Sequence, residues 1–206
     1  MARRGDALRD HILWAAKDVF LEMGFERASM DVVAARAKTS KRSLYAHFES
    51  KEKLFLAVIE FVRGLFLARL QMPGDYSNKP AEALTQFCGR YLEILAYEPS
   101  IQMLRVSLAE IERFPEGAAR HFDVVFGEVQ ARMSAYLKTT FGLSPRASAD
   151  AAQNLLGRIL HPWLLRALFG LEKLAEAIDD RNAISSIDLK PVRRAVTEVI
   201  EELQAG

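Results

Sequence analysis

Cysteine is almost absent from this chain: Cys88 is the only one among 206 residues. A single thiol excludes an intramolecular disulfide and any zinc site built from several cysteines. Cys88 lies among Phe87, Tyr91 and Leu92 in a helical pattern, so it reads as a small core residue and suits a reducing compartment. Long apolar runs are missing too. No segment reaches the roughly 18 consecutive apolar residues of a membrane span. The opening "MARRGDALRD" runs into charged residues rather than an apolar signal core, so neither export nor insertion is indicated. The expectation is a cytoplasmic protein with no membrane partner. Alternation of apolar and polar residues with a period of two is lacking throughout, which argues against strands. Excess charge of one sign is also lacking: 28 Lys and Arg against 27 Asp and Glu leave a formal +1. That balance alone announces no polyanionic partner.

What is present is a chain with half its residues apolar and 27% charged, enough for a real core. The apolar residues recur at three and four, so the fold class is all-α. A first helix is expected from Asp6 to Met23, stopped by Gly24. A short second helix follows, capped by Ser29 and with Asp31 at the favourable end of its dipole. A third is capped by Ser40 and anchored by Leu44, Tyr45 and Phe48; a fourth, capped by Ser50, runs from Lys51 to Leu70. Two short helices braced by longer ones make a helix-turn-helix module.

The cluster "MPGDYSNKP" reads as a loop. Five further helices are expected over 81–97, 101–113, 116–140, 147–169 and 189–203, with a turn or two more in "LEKLAEAI". The resulting division is a helix-turn-helix domain over residues 1–54 and a second helical domain over 55–206. The apolar band from Leu155 to Leu168 is too broad for a helix covering one neighbour. A second subunit is one way to bury it.

Charge becomes informative locally. Between Arg36 and Lys53 stand six basic residues (Arg36, Lys38, Lys41, Arg42, Lys51, Lys53) and two acids, Glu49 and Glu52. A helix entering the major groove needs small or polar residues at its leading end and donors on its flanks. Lys41, Arg42 and Ser43 occupy the leading turn, and Arg42 can take a guanine with two hydrogen bonds. Tyr45 and His47 offer donors for phosphate; Lys51 and Ser29 each open a helix, where free amides favour an anion. On composition alone, a solvated basic face is the simpler reading.

The segments "ILWAAKDVFLEMGFERASMDVVAARA", "TSKRSLYAHF" and "SKEKLF" together resemble the DNA-binding domain of TetR-family transcriptional regulators. The likeness comprises a first helix ending in a Gly-aromatic pair, a Ser-capped second helix, a Leu-Tyr-x-x-Phe third helix and a Lys-Glu-x-Leu start to the fourth. It implies an all-helical homodimer whose third helices read a palindromic operator in double-stranded DNA. The C-terminal helical domain would then bind an inducer and dimerise. Carried over by position, the DNA-binding set is Ser29, Thr39, Ser40, Lys41, Arg42, Ser43, Tyr45, His47 and Lys51. Two residues depart from the pattern. Lys38 stands where the family often has Gly, costing on the order of 1 kcal/mol if its backbone is left-handed. Arg42 stands where a small residue is common, so the operator cannot be borrowed from relatives. Further on, "LRVSLAEIERFPEGAARHF" is similar to the AefR-like branch in its Glu-x-x-Arg-Phe-Pro ending.

Aromatic, sulfur and basic residues through the middle helices supply candidates for a small apolar or aromatic inducer: Phe66, Phe87, Tyr91, Met103, Arg105, Phe122, Phe126 and Trp163. For any one of them ordinary core is the simpler reading; the resemblance alone argues for a cavity. Candidates for the dimer interface are Leu156, Leu160, Leu164, Val196 and Ile200. No cofactor, metal or catalytic role is expected. His121 and His161 have no acid or cysteine at a spacing that builds a site, and Glu110 and Glu112 point apart on a helix. Two other readings remain: a DNA-binding regulator without an inducer, and a helical enzyme or interaction module with an incidental basic helix.

Overall fold

The computed structural model describes residues 4–178, 184 and 187–205. Among them there is no strand beyond one isolated bridge, as the three-and-four periodicity requires. The chain forms two compact units: Met1–Leu65 with Gln102–His121, and Phe66–Ile101 with Phe122–Gly206. The division therefore differs from a single cut at residue 54.

The first unit opens with α1 (Arg4–Arg27), in which Gly24 adopts φ 72° and ψ 168° and interrupts the helical path. α2 (Met30–Arg36) and α3 (Lys41–His47) follow, then α4 (Lys51–Arg69). Their shared core contains Ile12, Ala16, Val19 and Phe20 from α1, Val33 and Ala34 from α2, Leu44 from α3, and Leu54, Phe55, Val58 and Ile59 from α4. Each set repeats at helical spacing, so one face per helix is buried. Lys38, between α2 and α3, has φ 48°, the strained left-handed conformation anticipated if Lys replaced Gly there. Its amide and that of Thr39 return to the carbonyls of Ala35 and Ala34 at 3.1 and 3.0 Å, which closes α2 tightly.

In the second unit, α5 (Pro73–Tyr76) is a single turn inside the stretch expected to be loop. α6 (Pro80–Leu95) packs on α5 and on α12 (Leu189–Ala205); α10 (Pro145–Leu160) packs on α12 and on α9 (Glu128–Phe141). The approach of α12 to α6 is close: a Cβ on Gly89 would collide with Leu189 Cδ2.

Four expected helices differ from the observed ones. The helix expected over 116–140 is α8 (Pro115–Phe122), a π-helical turn (Asp123–Gly127) and α9; an inserted π turn leaves the apolar pattern nearly continuous and escapes a periodicity reading. The helix over 147–169 breaks into α10 and α11 (Trp163–Leu168) around His161 and Pro162, because proline lacks the amide and its ring opposes the preceding turn. α7 (Glu98–Ala109) starts earlier than expected and ends four residues sooner. "LEKLAEAI" is not helical: Ala175 exchanges backbone hydrogen bonds with Ala96 and Glu98, both at 2.9 Å.

Candidate nucleic-acid interface

Ser29 opens α2 in an extended conformation, and its Oγ accepts from Val32 N at 3.2 Å. Ser40 does the same for α3, accepting from Ser43 N at 3.1 Å. Ser50 accepts from Lys53 N at 3.2 Å at the start of α4. In each case the hydroxyl oxygen is used by an orphan amide of the first turn. Ser40 and Ser43 also share a 2.9 Å hydroxyl contact.

Two contacts absent from the sequence reading lock α2 on α1. His11 Nε2 lies 3.1 Å from the carbonyl of Ala37 at the end of α2. Arg36 grips Glu22 with two hydrogen bonds of 2.7 Å, and that bond, with the charge of the guanidinium, holds the Glu22 carboxyl below its ordinary range. Neither partner could be paired from sequence, since the contacts span many residues.

On the outer side Lys41, Arg42 and Tyr45 are exposed, and Ser43, Thr39 and His47 are half-buried. Leu44 and Phe48, on the opposite side of α3, are buried. Anchoring residues and presented residues thus separate onto two faces, the requirement for a reading helix. Ala28, Ser29, Met30, Asp31, Lys41, Tyr45 and Lys51 line a cleft of about 340 Å³. It brings together Ser29, Lys41, Tyr45 and Lys51 from the sequence-derived set and adds Asp31, which pairs with Lys41 at 2.6 Å.

Lys51 stands differently from the rest. Its ammonium donates to the carbonyls of Phe25, Glu26 and Ala28 at 3.0, 3.2 and 3.0 Å, a number of acceptors equal to its donors. It also lies 4.3 Å from the centre of the Phe25 ring. The side chain expected to meet phosphate because it opens α4 is engaged with the corner between α1 and α2.

In the second unit the candidate ligand residues do not converge on one wall. Phe87 and Tyr91 are fully buried, and Phe66 packs edge-on against Tyr91 at 6.2 Å. Phe122 and Phe126 form a ring pair at 5.1 Å, with Phe122 exposed. Met103 belongs instead to the core of the first unit, and Arg105 is half-buried on the part of α7 in that unit. Trp163 lines a partly enclosed cavity of about 340 Å³ with Leu92, Arg158, Ile159, His161, Ile187, Asp188, Pro191 and Val192. Its lining mixes apolar walls with a few polar groups, a usual composition for a small-molecule site. Arg158 there is held by Asn154, Glu198 and Glu202 at 2.9, 3.2 and 2.6 Å.

Of the candidate dimer residues, Leu156 and Val196 are buried within the chain, and Leu160, Leu164 and Ile200 are half-buried. The apolar surface exposed nearby is Leu165, Phe169 and Leu171. Among the described residues no group of acids, histidines or cysteines is arranged to hold a metal, and no helix is long and apolar enough to cross a membrane.

Comparison with known proteins accords with this geometry. Residues 12–58 match the N-terminal domain of bacterial regulatory proteins of the TetR family, and residues 82–190 match the AefR-like transcriptional repressor C-terminal domain. The transcriptional activator FasR of Mycolicibacterium smegmatis is 46% identical over 63 residues, covering 28% of this chain and 29% of FasR. The transcriptional repressor NicS of Pseudomonas putida is 40% identical over 65 residues, covering 32% of this chain and 31% of NicS. Each of these two matches spans less than a third of the relative's length. A solved structure described as a TetR-family transcriptional regulator from Mesorhizobium loti superposes with a TM-score of 0.75 at 21% identity, over 99% of this chain and 98% of that one. The helix-turn-helix geometry and both domain matches lead to one assignment: the chain is a member of the TetR family, a DNA-binding transcriptional regulator and not an enzyme.

Proposed function

We propose that this regulator acts in the cytoplasm as a homodimeric repressor, binding a palindromic operator and released from it by a small, largely apolar molecule. The observation that carries the DNA-reading part is the two-faced α3, with Leu44 buried beneath exposed Lys41, Arg42 and Tyr45. Arg42 specifies sequence by reaching a guanine edge; Ser29, Thr39, Ser40, Tyr45 and His47 fix register on phosphates and Ser43 allows close approach. Lys51 acts through the α1–α2 corner. Two α3 helices in a dimer fit successive major grooves about 34 Å apart.

The cavity beside Trp163 supports the inducer reading, with Arg158 and His161 as its polar groups. The exposed apolar residues of α11 and its C-terminal side support association with a second copy, beside the half-buried Leu160, Leu164 and Ile200. α4 is one helix with residues in both units, so an inducer that binds better when α4 is displaced would draw the two reading helices off the groove spacing.

The test is selection of duplexes from a randomised pool by the full-length chain, followed by titration of the Arg42→Ala variant. Expected are a two-fold symmetric consensus and a variant whose preference relaxes at one position per half-site. A consensus without symmetry, or an unchanged preference in the variant, would refute the respective assignments. Loss of operator binding on titrating a panel of small aromatic compounds would identify the inducer class; retention with every compound that binds the cavity would leave a regulator without that control.

A further inference from the structure

The Glu-x-x-Arg-Phe-Pro segment, Glu110 to Pro115, leads from the end of α7 into the first residue of α8 and belongs to the same compact unit as the helix-turn-helix. The Phe114 ring meets Phe25 edge-on at 4.6 Å and lies 6.2 Å from Phe55. Phe25 is the centre of this group: it is 2% exposed, stacks with Phe20 at 5.8 Å and meets Phe55 at 5.1 Å. Cations approach it from Lys51 at 4.3 Å and from Arg113 at 6.0 Å. Arg113 also donates weakly to Glu26 at 3.4 Å, across 87 residues of sequence.

The fit of the segment is close on its other side too. A Cβ on Gly117 of α8 would stand 3.3 Å from Leu56 and 3.5 Å from Ile59, so α8 lies directly on α4. Arg120 faces Glu60 at 3.7 Å. The corner Phe25–Ala28 is therefore gripped twice, by the Lys51 ammonium on its carbonyls and by Phe114 on its aromatic ring. Ser29, the cap of α2, is the next residue, so the direction in which α2 and then α3 leave α1 is set at this corner.

We propose that Phe114 is a positioning residue for DNA binding: wedged against Phe25, it fixes the α1–α2 corner and through it the presentation of α3. The proposal rests on the assignment of α3 as the reading helix. It gives the Glu-x-x-Arg-Phe-Pro motif a task in the DNA-binding unit, although the motif lies far beyond that unit's N-terminal segment.

The experiment compares Phe114→Ala, Phe114→Leu and, as a control on an exposed neighbour, Ile111→Ala, all in the full chain and at a temperature where circular dichroism shows each fully folded. Binding is measured across a salt series to the duplex that the wild-type chain selects from a randomised pool, and amide exchange is followed at residues 28–33. Phe114→Ala is expected to bind about tenfold more weakly at every salt concentration with an unchanged salt slope, as a contact made with no phosphate requires. Exchange at residues 28–33 rises while the middle of α4 is unaffected; Phe114→Leu recovers most of the affinity, and Ile111→Ala matches wild type. A purely structural Phe114 would lower the melting temperature and leave the folded protein's affinity at the wild-type value, which would overturn the proposal. A reduced salt slope would overturn it as well, by showing a lost phosphate contact. Should the wild type select no duplex, the assignment of α3 fails, and exchange at residues 28–33 still decides whether Phe114 holds the corner.

Discussion

Replacing Lys51 by Met keeps the length of the side chain and removes its charge and all three donors. Lys51 is half-buried and its ammonium serves three carbonyls, those of Phe25 and Ala28 partly shielded from water and that of Glu26 exposed. A hydrogen bond to a charged group contributes about 1.5–3 kcal/mol, and the Glu26 carbonyl regains water when its partner leaves. Loss of the cation over the Phe25 ring adds about 0.5–1 kcal/mol, and the Met side chain restores some apolar contact. The net cost to the first unit is about 2 kcal/mol. The two tryptophans make this measurable unit by unit, since Trp14 lies in α1 and Trp163 in α11. In a Trp163→Phe background, Trp14 fluorescence reports the first unit, where the edge-on Phe61 ring at 5.0 Å sets its environment. With a urea slope of about 2 kcal/mol/M, the midpoint falls by about 1 M. DNA affinity falls too, with the salt slope unchanged. An unmoved midpoint with a slope lowered by about 0.9, the signature of one lost phosphate, would refute the reasoning and return Lys51 to the DNA backbone.

Other perturbations follow from single residues. Lys38→Gly removes left-handed strain at φ 48° while loosening the unfolded chain, so the first unit gains about 0.5 kcal/mol by the same urea assay; a loss of similar size would contradict the backbone assignment. Burial lowers the His121 pKa from 6.5 to about 4, and its Nδ1 lies 2.7 Å from Ser107 Oγ. The folded state resists the proton that the unfolded state accepts, so His121 costs nothing above pH 6.5. Its destabilisation grows to about 3 kcal/mol as pH falls to 4. Melting of wild type and His121→Gln between pH 7 and 4.5 should show a gap that closes toward acid; parallel curves would count against it. Cys88 is fully buried, its thiol pushed up to about 12 by burial. Ellman's reagent should leave it untouched in folded protein and label it in urea, and rapid native labelling would contradict that.

The helix-turn-helix was legible because its signals are local: Ser29, Ser40 and Ser50 each precede a helix whose amides they cap, and each helix carries its own apolar face. Lys38 could be flagged for the same reason, a single residue at a turn with a known backbone demand. Elsewhere the deciding partner lay far along the chain. Lys51 opens a helix, which locally favours an anion, while the carbonyls that hold it belong to a corner more than twenty residues earlier. Met103 lies in the core of the first unit, and periodicity tells that a helix face is buried and not which core buries it. "LEKLAEAI" has the composition of a helix, yet Ala175 pairs its backbone with the turn before α7, a tertiary preference that outweighs propensity. Pro162 ends α10 even though a strong apolar pattern continues on both sides of it.

The return of residues 102–121 to the first unit changes what counts as an exchangeable part in this architecture. A hybrid regulator made by transplanting only residues 1–65 onto a relative's effector half would import Phe25 and Phe55 without Phe114, and Leu56 without Gly117. The graft would have to match a foreign loop and helix at a surface shaped for its own. New DNA specificity in such hybrids should therefore come most readily from changes on the outer side of α3, or from grafts that carry both segments together.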